Sequence, residues 1–193
     1  MKKSKIDKEM KIKWWKGVFF EDDLIELAIS KAYKDLMRTI RGFANNKNHD
    51  EIKKNAIMSI RENVSKIINS NITNQEQFDK LHEKACMDLI DKFKGQFFTV
   101  GQAQKWINMT FKYLFLLEYE EVEKVYEYCH IPVDSYILKN GSKKISKAWS
   151  KLNDYKEYNE YQSWFRNKHS DKIPLDEEFD LWLKEAKSKR KVY

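Results

Sequence analysis

The chain has 193 residues, enough for one well-filled core, and its two prolines and five glycines among many Lys, Glu, Leu and Ile residues exclude a sheet-rich or linker-rich protein. Its 37 basic side chains outnumber 30 acidic ones, for a formal charge of +7; that excess suits a polyanionic partner without requiring one. The two cysteines, Cys86 and Cys129, lie too far apart for a CxxC knuckle, and two thiols are too few for an iron–sulfur cluster.

These bounds predict one all-α domain over residues 17–193, preceded by a basic arm over residues 1–16. With no signal peptide and no apolar run near the length of a membrane span, the expectation is a cytoplasmic protein, nucleoid-associated if prokaryotic, with no membrane partner. Both thiols are then reduced, small core side chains. No cofactor and no metal are expected, and the protein is expected to be a monomer.

In chain order, "MKKSKIDKEMKIKWWK" carries seven lysines and ends in Trp14 and Trp15, which would dock the arm on the body. Helical spacing of Leu24, Leu27, Ala28, Leu36 and Ile40 behind an acidic first turn predicts a helix running to Phe43. After the loop "ANNKNHD", Ile52, Ala56, Ile60, Val64 and Ile67 form one face of a second helix. A third has Thr73 and Glu76 as its capping box and Gly95 as its stop.

A helix follows at "QAQKWINMTFKYLFLL", and "EYEEVEKVYEYCH" continues or restarts it up to Pro132. "IPVDSYILKNG" reads as extended chain and then a short helix stopped by Gly141. "SKKISKAWSKL" and "NDYKEYNEYQSWFRNKHS" predict further helices, the latter capped by Asn153; Trp149 and Trp164 fall at core spacing. The last helix opens at Pro174 with acids and ends in bases, the order a helix dipole favours. Eight or so helices result.

The helix at 102–117 holds the strongest functional signal. On a wheel, Trp106, Ile107, Met109, Phe111, Leu114, Phe115, Leu116 and Leu117 surround almost all of it, and Lys105, Asn108 and Lys112 share the wedge left. A helix so apolar is central, so the wedge faces either solvent or a cleft. A thin exposed edge is the ordinary outcome for lysine, whose stem snorkels. A cleft needs a second chemical group, and Asp134, at a predicted helix start after Pro132 and Val133, is the candidate. Its ordinary role there is a helix cap. A lysine freed of its proton is a nucleophile, and attack at a sugar C1′ calls for a carboxylate nearby to stabilise the charge that develops as the base departs.

At these residues the sequence resembles the helix-hairpin-helix DNA glycosylases, and within them the archaeal 8-oxoguanine glycosylase branch. Val100-Gly101 followed by Gln104-Lys105 is similar to that branch's degenerate hairpin and catalytic lysine, and Lys112 to its second lysine. "IPVD" at 131–134 resembles the segment bearing the catalytic aspartate, and "EFDLW" at 178–182 its acid-then-tryptophan element. The likeness covers mainly residues 95–140. It departs where the lysine follows Gly101 by four residues rather than two, and where Glu178 replaces an aspartate.

The resemblance implies a glycosylase fold and a substrate of double-stranded DNA with a damaged base. Lys105 would attack C1′ and form a Schiff base, Asp134 would support the attack, and β-elimination would cut the strand. Lys112, Glu178 and Trp182 would form the base pocket, with Trp182 stacking on a flipped base. Backbone N–H groups at Val100, Gly101 and Gln102 would meet a DNA phosphate, and Lys139, Lys143 and Lys144 would add phosphate contacts unless they form an ordinary solvated charge run. Two alternatives stand beside this reading: a non-catalytic nucleic-acid-binding protein on the same scaffold, and an all-α interaction domain with a compositionally basic surface.

Overall fold

The computed structural model describes Met10, residues 23–140 and residues 148–190. Among the described residues all regular structure is helical, as composition predicts: seven α-helices joined by short turns and 3-10 segments. The arm with Trp14 and Trp15, the Gly141 stop, and Lys143 and Lys144 lie outside the described residues.

Helix α1, Leu24–Leu36, starts at Asp23, whose carboxylate accepts from the Glu26 N–H. It stops well short of the expected Phe43. A 3-10 turn at Met37–Thr39 follows, and Gly42 takes φ 71°, a left-handed conformation that breaks the helical repeat and turns Phe43 inward onto the Phe93 ring. Helix α2, His49–Asn69, buries the face read from the sequence, with Ala56, Ile60, Val64 and Ile67 in the core and Ile52 packed against it. Helix α3, Gln75–Lys92, is capped by Asn74 rather than Thr73. The reciprocal pair sits one residue later than expected, because Gln77 donates its N–H to Asn74 while its side-chain oxygen accepts the Thr73 N–H.

Helix α4, Val100–Leu116, is the centre of the molecule. Thr99 and Gln102 close a reciprocal capping box, and every residue from Val100 to Lys112 is buried. The chain then restarts as a 3-10 segment, Glu120–Tyr128, runs without regular structure through residues 129–134, and forms the short helix α5, Ser135–Asn140. Helix α6, Tyr155–Lys168, is capped by Asp154, not Asn153, and α7, Pro174–Arg190, opens on its proline. Asp154 wins because its carboxylate accepts from the Lys156 N–H.

Helix α4 packs on α1 and α3, and α5 packs on α7. Trp106 fills the centre, its indole N–H donating to the Ile29 carbonyl at 3.0 Å and its ring lying 4.9 Å from Tyr33. Both cysteines are buried and unpaired. Trp149 and Trp164 pack partly buried against the core. Among the described residues no helix is long and apolar enough to cross a membrane.

The start of α4 is pinned by a close backbone crossing. Gly101 donates its N–H to the Leu152 carbonyl at 2.8 Å, and a Cβ placed on it would stand 1.7 Å from the Trp149 carbonyl oxygen. Backbone cannot rotate aside as a side chain can. Gly101→Ala therefore lowers stability by about 3 kcal/mol, the upper end of overpacking penalties, read as a drop in the urea midpoint.

Candidate active site

The site is assembled by a stretch of backbone that belongs to no helix. Residues 130–134 are buried outside any helix, and each polar backbone group there needs a partner, since burying one without a hydrogen bond is costly. Two side-chain amides supply partners in the manner of a neighbouring strand. Gln104 on α4 accepts the Val133 N–H at 3.1 Å and donates to the Val133 carbonyl at 2.9 Å. Gln162 on α6 does the same for Ile131, at 3.1 Å and 2.8 Å.

Behind this clamp lies a buried polar network. His130 contacts Asp79 through Nε2 and the Tyr158 hydroxyl through Nδ1, both at 2.8 Å; a neutral ring donating to the carboxylate and accepting from the hydroxyl satisfies both. His82 joins the Tyr155 hydroxyl to Asn108 Oδ1, again at 2.8 Å on each side. Asn108 Nδ2 reaches the Ile131 carbonyl and the Tyr158 hydroxyl. Burial pushes His130 down to about 4, against the pull of its Asp79 hydrogen bond, and pushes His82 well below the ordinary histidine range.

Clamping Val133 beside Gln104 puts their neighbours face to face. Lys105 Nζ lies 2.6 Å from Asp134 Oδ2, and both residues are buried. The other carboxylate oxygen caps α5, accepting the N–H groups of Tyr136 at 2.9 Å and Ile137 at 3.1 Å. Asp134 is thus both a helix cap and the lysine's partner, one oxygen for each. The cap fixes the carboxylate's orientation, so Oδ2 is presented to the amine without a search over rotamers.

One turn pair further along α4, Lys112 pairs with Glu178 of α7. Glu178 is 1% exposed, and burial pushes its carboxyl above the ordinary range, opposed by the Lys112 ammonium. Lys112 also stands 4.2 Å from the Phe179 ring centroid and 5.9 Å from that of Trp182, within cation–π distance of both.

The two lysines open on one cavity of about 630 Å³, walled by α4 on one side and by Phe179, Trp182 and Tyr136 on the other. The wedge of Lys105, Asn108 and Lys112 therefore faces a cleft, but Asn108 does not share it. At 3.6 residues per turn Asn108 lies about 60° from Lys105 on the side away from the cavity, while Met109 and Leu116 lie within about 40° on the cavity side. Met109 and Leu116 line the cavity, and Asn108 turns into the histidine network.

Other expected residues are placed differently. Glu178 does not line the cavity among the described residues; it sits behind Lys112 and holds it. Val100, Gly101 and Gln102 are buried rather than presented to a phosphate, the Gly101 N–H is taken by Leu152, and the Gln102 N–H by the Thr99 hydroxyl. Two of the three amides at the helix start are thus spent on internal hydrogen bonds. Lys139 is 63% exposed but donates to Glu185 at 2.6 Å. Asp35, Arg38, Tyr113 and Phe179 also line the cavity. No sequence pattern marks the first three, because only the packing of α1 on α4 brings them to the cavity.

Two outcomes follow for stability. Gln104→Ala leaves the Val133 N–H and carbonyl buried without these partners and lowers stability by about 1–3 kcal/mol, measured by urea unfolding. As pH falls from the ordinary histidine value of 6.5 towards about 4, the unfolded chain takes up a proton that buried His130 refuses. The unfolded state then binds more protons, so stability rises with pH across this window and is lost on acidification. Urea midpoints fall between pH 7 and pH 4.5, and His130→Gln flattens that slope.

Compared with protein-family models, curated proteins and solved structures, the chain matches none.

Proposed function

We propose that this protein is a DNA glycosylase with AP lyase activity that removes an oxidised purine through a lysine Schiff base, on a scaffold of the helix-hairpin-helix glycosylase type. The observation that carries the reading is the buried 2.6 Å contact between Lys105 Nζ and Asp134 Oδ2 at the wall of a cavity shared by Lys112 and Trp182. Stability alone gives little reason to keep a buried ion pair at a cavity wall, since replacing such a pair by apolar groups is often neutral or stabilising.

The chemistry follows from that geometry. The proton shared between Nζ and Oδ2 passes to Asp134 as the amine lone pair is released. Nζ bonds to C1′ while the C1′–N bond to the base breaks, and the base leaves with the bonding electrons and takes up the proton that Asp134 received. Asp134, anionic again, faces the positive charge developed at C1′. The attached nitrogen, a secondary ammonium after the attack, gives a proton to Asp134, its lone pair opens the sugar ring to a Schiff base, and O4′ takes that proton. A C2′ proton then passes to water as the 3′ phosphate leaves with the C3′–O electrons, and water hydrolyses the Schiff base to release Lys105. Trp182 and Phe179 offer flat surfaces to an extruded base, and Lys112, held by Glu178, offers it N–H donors.

One observation favours a second reading, in which the chain binds nucleic acid without chemistry. Both buried lysines already have carboxylate partners, so both pairs are complete without a ligand. Borohydride separates the two. On the glycosylase reading it traps a covalent complex with 8-oxoguanine or abasic duplex, Lys105→Gln abolishes trapping, and Asp134→Asn slows it by about a hundredfold or more. Salt-sensitive duplex binding with no trapping on either substrate selects the non-catalytic reading.

A further inference from the structure

The polar groups of the cavity are unevenly spent. Lys105 is paired with Asp134, whose second oxygen is used by the α5 amides, and Lys112 is paired with Glu178 outside the cavity lining. Among the described lining residues the remaining carboxylate is Asp35, near the end of α1. Its Oδ2 accepts the Tyr113 hydroxyl at 2.8 Å, the one partner it has among the described residues. Burial, and then the Asp35 carboxylate, push Tyr113 far above the ordinary phenol range, so this hydroxyl stays a donor and Asp35 stays oriented. Oδ1 is left as the acceptor with capacity for a ligand.

Arg38 and Tyr113 line the cavity on the same side as Asp35, and the remaining walls are largely apolar: flat aromatic rings at Phe179 and Trp182 on α7, aliphatic side chains at Met109 and Leu116 on α4. Such a space takes a planar heteroaromatic ring, with hydrogen bonding left to its edge. Lys112 supplies donors from the α7 side, and Asp35 an acceptor from the α1 side. The guanine edge presents a carbonyl acceptor beside two N–H donors, the ring N–H and the exocyclic amine. An adenine edge lacks the carbonyl and the ring N–H.

From this distribution we infer that Asp35, anchored by Tyr113, is a specificity-determining residue that accepts the exocyclic amine of a guanine-type base, with Lys112 facing the carbonyl at the other end of the edge. The assignment rests on the reading of the cavity as a base pocket. It makes the selected substrate class guanine-derived lesions over adenine-derived ones. It also gives Asp35 no part in bond breaking, which remains with Lys105 and Asp134.

The test crosses a residue with a substrate atom. Duplexes carrying 8-oxoguanine or 8-oxohypoxanthine, which lacks only the exocyclic amine, are compared with wild-type protein and with Asp35→Asn. The variant is isosteric and keeps an oxygen for Tyr113, but its amide N–H₂ repels a donor. In the wild type, removing the amine lowers kcat/KM by about tenfold or more, the range for a hydrogen bond to a charged group. In Asp35→Asn the two duplexes are processed within about twofold of each other, both at the lower rate. Borohydride trapping on abasic duplex, which has no base to read, proceeds at the same rate in both proteins.

If the wild type traps abasic duplex yet processes both bases equally, or if Asp35→Asn slows abasic trapping as much as base release, the Asp35 assignment is overturned and the base-excision reading stands. If the wild type traps no duplex at all, the base-pocket reading fails and the assignment fails with it.

Discussion

Buried backbone without a helix or a sheet to pair it is the constraint on which the rest of this structure depends. Residues 130–134 cross the interior outside any helix, and Gln104 and Gln162 supply the missing partners, each bonding both polar groups of one residue. Side-chain amides suit this task because one flat group carries a donor and an acceptor at the spacing of a peptide. Asn108 and the two histidines extend the pairing outward to Asp79 at the edge of the core. A densely bonded polar network in a low-dielectric interior favours one arrangement, because alternatives leave groups unpaired.

The position of the candidate chemistry is a consequence of that clamp. Gln104 precedes Lys105 on α4 and Val133 precedes Asp134 on the irregular segment, so tying Gln104 to Val133 brings the amine and the carboxylate together. Asp134 then divides its oxygens between the start of α5 and Lys105. Neither role is sacrificed. The second lysine is held by a different device, a buried carboxylate from α7, and the distance between the two pairs along α4 opens a cavity large enough for a small planar group.

Much of this was legible in the residues, and the reasons for the misses are specific. The apolar circumference of the 102–117 helix marked it as central, and Lys105 and Lys112 as facing a cleft if not solvent. Periodicity assigned Asn108 to the same wedge because wheel geometry alone does not say where a cavity ends and a polar core begins. The hairpin at 100–102 reads as an anion site from its helix start. The observed packing against Leu152 and Trp149 consumes it, and the partners come from a segment some fifty residues away in the chain. Caps shifted by one residue wherever two good capping side chains stood together, as at Thr73-Asn74 and Asn153-Asp154, since the choice depends on which side chain meets the amide.

What the sequence by itself determined is the all-helical class, the burial of the central helix and the presence on it of two lysines that do not belong to an ordinary core. These follow from local rules, in which period and composition act over a few turns. Tertiary structure alone decided that Asp134 meets Lys105, that Glu178 pairs with Lys112 without lining the cavity among the described residues, and that Asp35 and Tyr113 reach the same cavity from α1 and α4. Such pairings join residues tens of positions apart, and the clamp that enforces them is made of neutral glutamines whose function no local pattern signals.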